Sequence, residues 1–410
     1  MSGRSGTGKS SARTAMRRLH MWLGLTLGLL FAVAGITGST LVFYPELDRA
    51  IHPALREVDS GTRPLSWEAV YAALRRDHPG RTGAWRIEVT PNGGPIPVRY
   101  YKPPETAGRD FAPLLLWVDP ASLRTIRSAF WGDTAVTWIY DLHYRLLLEK
   151  PGGAAMGVAS LAMLALLVSG LWAWWPRPGT WRRAVRVKPE AAPLRRLYDL
   201  HKISGLFGLM PLLVITATGA MLDLPDQVRP IIARTSALFK TPALASSPQA
   251  GGMLPIDAFV RQAQARFPGA ELAWIETPAG PTGTVRVNLA QAGEPSRRFP
   301  RTNLWFDPYS GRVLAVRDGL RDSSGDTLLN WMHPIHGGEA FGLFGRVLTL
   351  ICGLLPTALL ITGLLRWSKR SARHRKHKVE FEANAIRTLS AAVGLSEKMH
   401  CSSRPGRQGD

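Results

Sequence analysis

Trp331-Met332-His333-Pro334-Ile335-His336, with the apolar run behind it, is the stretch from which the fold can be read. His336 precedes Gly363 of Thr362-Gly363-Leu364 by 27 residues, and His143 precedes Gly170 of Ser169-Gly170-Leu171 by the same 27. A tryptophan stands five residues before each histidine, Trp331 and Trp138. Upstream, His20 precedes Thr37-Gly38 by the spacing at which His201 precedes Thr218-Gly219, and Gly24 answers Gly205. Histidines held twice at fixed distances from apolar runs describe one plan used two times.

Four runs are long and apolar enough to cross ~30 Å of hydrocarbon, which takes about 20 residues. They are Met21–Tyr44, Ala154–Trp175, Ile203–Leu224 and Leu343–Trp367. No ionisable residue lies at their centres, and Arg346 sits near an end, where it can snorkel. The first run follows basic residues, as a signal peptide would, but it is too long and lacks a small-x-small cleavage site.

A net charge of +21 would suit a nucleic-acid binder, but its placement argues against one. Residues 1–19 hold five cations and no anion, and residues 176–200 hold seven against Glu190 and Asp199. From Arg366 onward eleven cations face four anions, while the long loops 45–140 and 225–335 are nearly balanced. Positive charge beside spans marks the cytoplasmic side. Both termini and the 176–200 loop are therefore expected inside, and both long loops outside. With only Cys352 and Cys401, neither a disulfide framework nor a thiolate metal site is available.

The expected divisions are a cytoplasmic tail at 1–19, a span at 20–44 and an outer domain at 45–137. An interfacial segment with the second span follows at 138–175, then a cytoplasmic loop at 176–200 and a span at 201–224. A second outer domain takes 225–330, an interfacial segment with the fourth span 331–367, and a basic tail 368–410. The first tail, rich in Gly and Ser, is read as disordered. Its Gly3-Arg4-Ser5-Gly6-Thr7-Gly8-Lys9-Ser10 spells a phosphate-loop formula, but no strand precedes it, so it is chance composition.

Each outer domain repeats one order. A helix starting near Pro64 and Ser66, with Trp67, Val70, Tyr71 and Leu74 on one face, stops at His78-Pro79-Gly80. Strands are expected at Trp85–Thr90, Pro97–Tyr101 and Leu114–Val118, ending at Asp119-Pro120. In the second copy the helix starts near Pro255 and stops at Phe267-Pro268-Gly269, with strands at Ala273–Thr277, Thr284–Leu289 and Asn303–Phe306. Leu116-Trp117-Val118-Asp119-Pro120 matches Leu304-Trp305-Phe306-Asp307-Pro308. One helix on a small antiparallel sheet is the natural packing for each copy. The expected fold class is thus a membrane α-helical protein whose four spans form two parallel repeats, each carrying a small α+β outer domain.

A two-fold axis along the membrane normal would pair His20 with His201 near the inner surface and His143 with His336 near the outer one. Two neutral imidazoles facing across a gap are what a six-coordinate b-type haem requires, and with both axial positions filled its business is electron transfer. Two b-type haems are expected. Gly24, Gly28 and Gly205 would leave room for a macrocycle. Arg17, Arg18, Arg196 and Lys202 would pair with carboxylates at the inner site, and Arg145 and Arg346 at the outer. His333, three residues before His336, is a secondary metal candidate, and Tyr140 takes its place in the first half. Against these readings, interfacial histidines also serve as polar anchors. Trp172, Trp174, Trp175 and Trp181 suit an interfacial belt, and Gly24-x-x-x-Gly28 suits ordinary helix packing.

One ordered set of residues carries a family resemblance. It comprises Arg18-Leu19-His20-Met21-Trp22-Leu23-Gly24 with Thr37-Gly38, then Asp141-Leu142-His143 with Ser169-Gly170-Leu171-Trp172-Ala173-Trp174-Trp175-Pro176. His201 with Thr218-Gly219, and His336 with Gly345-Arg346 and Thr362-Gly363, complete it. The set resembles the PepSY-associated transmembrane family over roughly residues 14–370.

The resemblance implies an inner-membrane di-haem protein of a bacterium, with PepSY-type periplasmic domains, that passes electrons to ferric siderophores or other Fe(III) chelates. Some relatives fuse a flavodoxin and reductase module; here the donor would be a separate quinol or reductase. Membrane lipid and the chelate are the expected partners, and nucleic acid is not. Arg297, Arg298 and Arg301 could meet an acidic chelate or simply form a solvated loop. Two rivals stand beside this reading. One is a non-enzymatic anchor or regulator whose PepSY domains bind a periplasmic partner. The other is a transporter, for which Pro211 and Pro356 are hints and the absence of mid-membrane charge is not.

Overall fold

The computed structural model describes residues 6–401 apart from 57, 59–61, 65, 91–92 and 250. Among these residues four helices are long and apolar enough to cross a membrane, over Ala12–Leu41, Glu149–Trp174, Pro193–Asp223 and Glu339–Ala372. They belong to α1 (Gly6–Leu41), α4 (Glu149–Trp174), α5 (Pro193–Asp223) and α8 (Gly342–Cys401). The chain is a multi-pass helical membrane protein that also carries a sizeable sheet. Trp22, Leu29, Val158, Phe207, Met210 and Phe344 stand exposed on these helices, a surface suited to lipid and costly in water. The tail read as disordered is helical from Gly6, because Ala12, Ala15, Met16 and three arginines are good helix formers that prolong the span. Gly3, Arg4 and Ser5 of the phosphate-loop-like run lie outside the described residues, and its remainder is inside α1.

The chain forms two compact units, Met1–Ala173 with Phe207–Thr357, and Trp174–Leu206 with Ala358–Asp410. In the first unit Phe31, Met163, Leu167, Leu209 and Leu212 fill an apolar core between helices. Gly35 of α1 and Gly353 of α8 face each other so closely that a Cβ on Gly35 would strike the Gly353 carbonyl. Ser39 Oγ donates to the Leu350 carbonyl at 2.8 Å beside them. Small residues that let backbones touch are how helices associate where burial of apolar surface gives no drive.

The sheet of this unit has eight strands. A helix α2 (Trp67–Asp77) is followed by β1 (Trp85–Glu88), β2 (Ile96–Tyr100), β3 (Leu114–Val118) and β4 (Thr125–Phe130). Further along come α6 (Ile256–Arg266), β5 (Glu271–Glu276), β6 (Val285–Ala290), β7 (Thr302–Phe306) and β8 (Val313–Arg317). The spatial order is β4-β3-β2-β1-β5-β6-β7-β8, antiparallel throughout, so the two four-stranded groups join at β1 and β5. Ile87 stands opposite Ile275 at that seam. Val70, Leu74, Trp85, Ile87 and Val98 make one core under α2, and Ile256, Phe259, Ile275, Val287 and Leu304 the other under α6. Trp67 and Tyr71 pack against both.

The two helices also cap each other. Asp257 of α6 accepts from Ser66 Oγ (2.6 Å) and from the Trp67 and Glu68 N–H groups, while Glu68 accepts from Ile256 N–H at 2.8 Å. Each carboxylate thereby satisfies donors left over at the other helix's first turn.

Strands β4 and β8 are absent from the sequence reading, which ended each copy at Asp-Pro. Those dipeptides open hairpin turns. Asp119 accepts from Ala121 N–H, and Asp307 from Tyr309 and Ser310 N–H, so the side chain folds the backbone back. The returning strands are edges with mixed exposure and carry no clean alternation to detect.

In the second unit, fully buried Asp199 accepts from Lys202 Nζ (2.8 Å), Arg195 Nε (3.2 Å) and Lys188 N–H (3.3 Å). Lys202 also donates to the Arg186 carbonyl, which fastens the basic loop to α5. Trp181 packs edge-on against Trp174 and Trp175 at 5.7 and 5.2 Å.

Candidate functional site

Helix α3 (Ala135–Arg145) carries His143 near its end, and α7 (Ser324–His336) ends on His336 with Pro334 inside its last turn. Both helices are tied to the sheet. Trp131, just past β4, donates its indole N–H to Asp141 at 2.9 Å, and Arg317 of β8 pairs with Asp322 at 2.7 Å, which Asn330 of α7 also grips. The imidazoles of His143 and His336 then face each other with ring centres 6.1 Å apart, inclined by 47°. Two imidazoles bound to opposite sides of one metal, through bonds of about 2.0–2.1 Å, place their centres roughly 6 Å apart.

Each ring is seated the same way. His143 Nδ1 lies 3.1 Å from both the Ala34 carbonyl and Thr37 Oγ1. His336 Nδ1 lies 2.9 Å from the Ile215 carbonyl and 3.4 Å from Thr218 Oγ1. His20 repeats this on Leu166 (3.1 Å) and Ser169 (3.4 Å), and His201 on Leu359 (3.2 Å) and Thr362 (3.0 Å). The hydroxyls give their own protons back to the helix, Thr37 to Val33, Thr218 to Val214 and Thr362 to Ala358, each at 2.8 Å. Oxygen lone pairs therefore remain to accept from the imidazole, which fixes Nδ1 as the N–H and puts the ring's ligating lone pair on Nε2.

A glycine follows each hydroxyl, and its missing side chain is the floor of the seat. A Cβ would stand 2.8 Å from His143 Cε1 at Gly38, 2.8 Å from His20 Cε1 at Gly170 and 2.9 Å from His336 Cε1 at Gly219. At Gly363 it would stand 3.7 Å from His201 Cε1, an ordinary contact. The fixed histidine-to-glycine spacings in the sequence thus mark seats, but crossed ones. His143 rests on the Thr-Gly of α1, and His20 on the Ser-Gly of α4. No linear spacing discloses the exchange. By contrast, a Cβ at Gly24 or Gly205 would meet only a leucine methyl at 3.9 or 3.6 Å.

Burial pushes His143 down to about 4, with His336 next to it adding to the shift, and it lowers His336 as well. His333 is pushed down to about 3 by burial, then by Arg298, His336 and Arg301. All three are neutral at physiological pH, the form that binds a metal. His333 packs on Phe299 at 4.6 Å and its Nδ1 is buried without a hydrogen-bond partner. Among the described residues no group of three or more His, Cys, Asp or Glu could hold a metal ion. A facing pair of imidazoles is instead the donor set of a metal whose other ligands come from a macrocycle, and the His143–His336 pair fits that group.

Of the cations named from the sequence, Arg17, Arg18 and Arg196 stand exposed. Arg346 donates to the Val42 carbonyl (2.9 Å), pairs with Glu46 (2.7 Å) and lies 4.1 Å over Phe43. Arg145 is buried between Asp141 (3.3 Å) and Glu149 (3.0 Å).

Four apolar helices, an eight-stranded antiparallel sheet and crossed histidine seats define a multi-span membrane protein with a pair of imidazoles facing each other. The family described as PepSY-associated TM region matches residues 17–370, and the chain belongs to it. No curated protein matches the sequence.

Proposed function

We propose that this protein is a bacterial inner-membrane di-haem b electron-transfer protein that reduces periplasmic ferric siderophores or other Fe(III) chelates. The observation that carries the reading is the facing His143–His336 pair, 6.1 Å between ring centres. His143 and His336 would hold an iron porphyrin there, which would supply reversible one-electron transfer. The chain's own work is to hold the imidazoles neutral, to fix Nδ1–H on a carbonyl and a hydroxyl, and to keep the glycine floor open. On the sequence repeat alone, His20 and His201 are the ligands of a second haem, with Arg17, Arg18 and Arg196 as its carboxylate partners.

The membrane layout proposed is two parallel repeats with both termini cytoplasmic and the sheet in the periplasm, as the basic segments beside the spans indicate. A quinol or separate reductase supplies each electron. The chelated Fe(III) takes it up as Fe(II), which hard oxygen ligands hold less tightly, so the chelator lets go.

An absorption spectrum of the purified protein before and after dithionite is the test. A Soret band that shifts on reduction, with one of two haems lost in His336→Ala, is the expected result. Colourless protein after haem supplementation would leave a membrane anchor whose outer domains bind a partner.

A further inference from the structure

One helical turn before the paired histidines, the two sides differ: Tyr140 precedes His143 and His333 precedes His336. Cations and aromatic rings converge on these two residues. Arg298 lies 4.1 Å over Tyr44 and 5.1 Å over Phe299, and Phe299 is the ring against His333. Tyr44 meets Tyr140 edge-on at 6.4 Å. From the sheet, Arg99 reaches over Trp131, which itself packs on Tyr140 at 5.2 Å.

Arg99 is already paired with Glu88 at 2.9 Å, but the charge of Arg298 is poorly spent. Arg298 has a carboxylate only at 3.9 Å, in Glu339, too long for a good hydrogen bond. His333 Nδ1 and Arg301 Nε are buried with no hydrogen-bond partner, and Arg298 and Arg301 both act on His333. Native proteins seldom leave buried donors unsatisfied without a ligand or water to take them.

We infer that Arg298, with Arg301 and His333, forms an oxyanion site beside the histidine pair that receives carboxylate groups. A guanidinium stacked on a tyrosine is held flat and presents its fork to a planar carboxylate. The site deepens the function proposed above, and rests on it, by naming a carboxylate-bearing ligand as the one favoured there. The carboxylates have two sources, an acidic iron chelate or the propionates of the porphyrin between His143 and His336.

The test is calorimetric titration of the purified full chain with gallium(III) citrate, which is redox-inert, alongside a neutral gallium tris-hydroxamate. If the chelate is the source, Arg298→Ala weakens citrate binding about tenfold or more and leaves the hydroxamate unchanged. Glu339→Gln, which releases Arg298, tightens citrate binding several-fold, a gain that damaged folding would not give.

If the porphyrin is the source, citrate binding is unchanged. Arg298→Ala then lowers retention of haem but not of haem dimethyl ester. Equal weakening of both gallium chelates, or no response in either arm, overturns the site. Because citrate binding is read without haem, a colourless protein that still shows the Arg298 effect would sink the haem and keep the site.

Discussion

Between His143 and the helix that follows it, and again between His336 and its helix, the chain turns, and the two turns use different residues. The first uses Leu146, Leu147 and Glu149 at φ of 55°, 59° and 55°; the second uses Gly338 and Gly342 at 79° and 59°. Glycine enters this region freely, whereas other L-residues spend roughly 1–2 kcal/mol each. The first turn persists because its ends are clamped. Arg145 grips Asp141 and Glu149, Glu149 accepts from Asp110 N–H, and Asp110 accepts from Lys150 N–H. One half holds its bend by an ion-paired lock and the other by having nothing in the way. The seats of His143 and His336, by contrast, agree to within a few tenths of an ångström, while the floor under His201 lies 0.9 Å farther off than the floor under His20.

The largest effect asks whether the halves are equal partners. His143→Ala and His336→Ala should each remove the same haem, and the double variant should lose no more than either one, as read by haem content per chain. His333→Ala should keep both haems, since Tyr140 fills its place in the first half. Unequal losses would break the symmetry on which the paired reading stands.

The floors of the seats sharpen the comparison next. Gly38→Ala and Gly219→Ala push a methyl to 2.8 and 2.9 Å from an imidazole carbon. Each should weaken haem retention about 10–100-fold, the usual effect of misplacing a ligand's support. Gly363→Ala, at 3.7 Å, should leave retention at the wild-type level. Retention curves against a haem scavenger report both. If Gly363→Ala fails as badly as Gly38→Ala, the floor is not what the glycines provide.

These seats were only half legible beforehand. His143, His336, Thr37, Gly38, Thr218 and Gly219 announced themselves by spacing, because a duplicated interval survives in one dimension. Which histidine rests on which glycine did not, since the partner lies on another helix. The spans, α2, α6 and six strands were readable because apolar period and Ser, Pro and Gly stops coincide there. β4 and β8 were hidden because, as edge strands of mixed exposure, they carry no clean alternation. Arg298 and His333 each stood out in the sequence, one for an acidic chelate and one as a secondary metal candidate, but that Tyr44 and Phe299 join them left no local trace, because the cluster is assembled from distant segments.

A smaller effect tests the crossed caps. Burial alone would raise Asp257, but the bonds from Ser66 and the Trp67 and Glu68 N–H groups outweigh it and hold this carboxylate below its ordinary 3.8. A depressed carboxylate gives stability that is present above its unfolded value and is lost as pH falls through its folded one. The sheet should therefore weaken in acid below about pH 4, a loss that Asp257→Asn should flatten. At neutral pH that variant should cost about 1 kcal/mol, the usual worth of a cap. Thermal melts of the full chain in detergent, from neutral pH downward, would show whether the slope disappears.

The last and smallest test returns to mismatched turns. Asp119-Pro120-Ala121-Ser122-Leu123 and Asp307-Pro308-Tyr309-Ser310-Gly311 fold the same hairpin, with the fifth residue left-handed in both, Leu123 at φ 58° and Gly311 at 73°. Gly311→Ala should cost about 1 kcal/mol, from the backbone and from a methyl 3.0 Å from Leu254 Cδ1. Leu123→Gly relieves the same strain but also removes a side chain packed on the core under α2, so its net change should stay within about 0.5 kcal/mol of zero. A large loss at Leu123 would mean that packing, and not the bend, decides that turn. A negligible loss at Gly311 would mean the second half's glycines are dispensable and the two halves are more alike than their bends suggest.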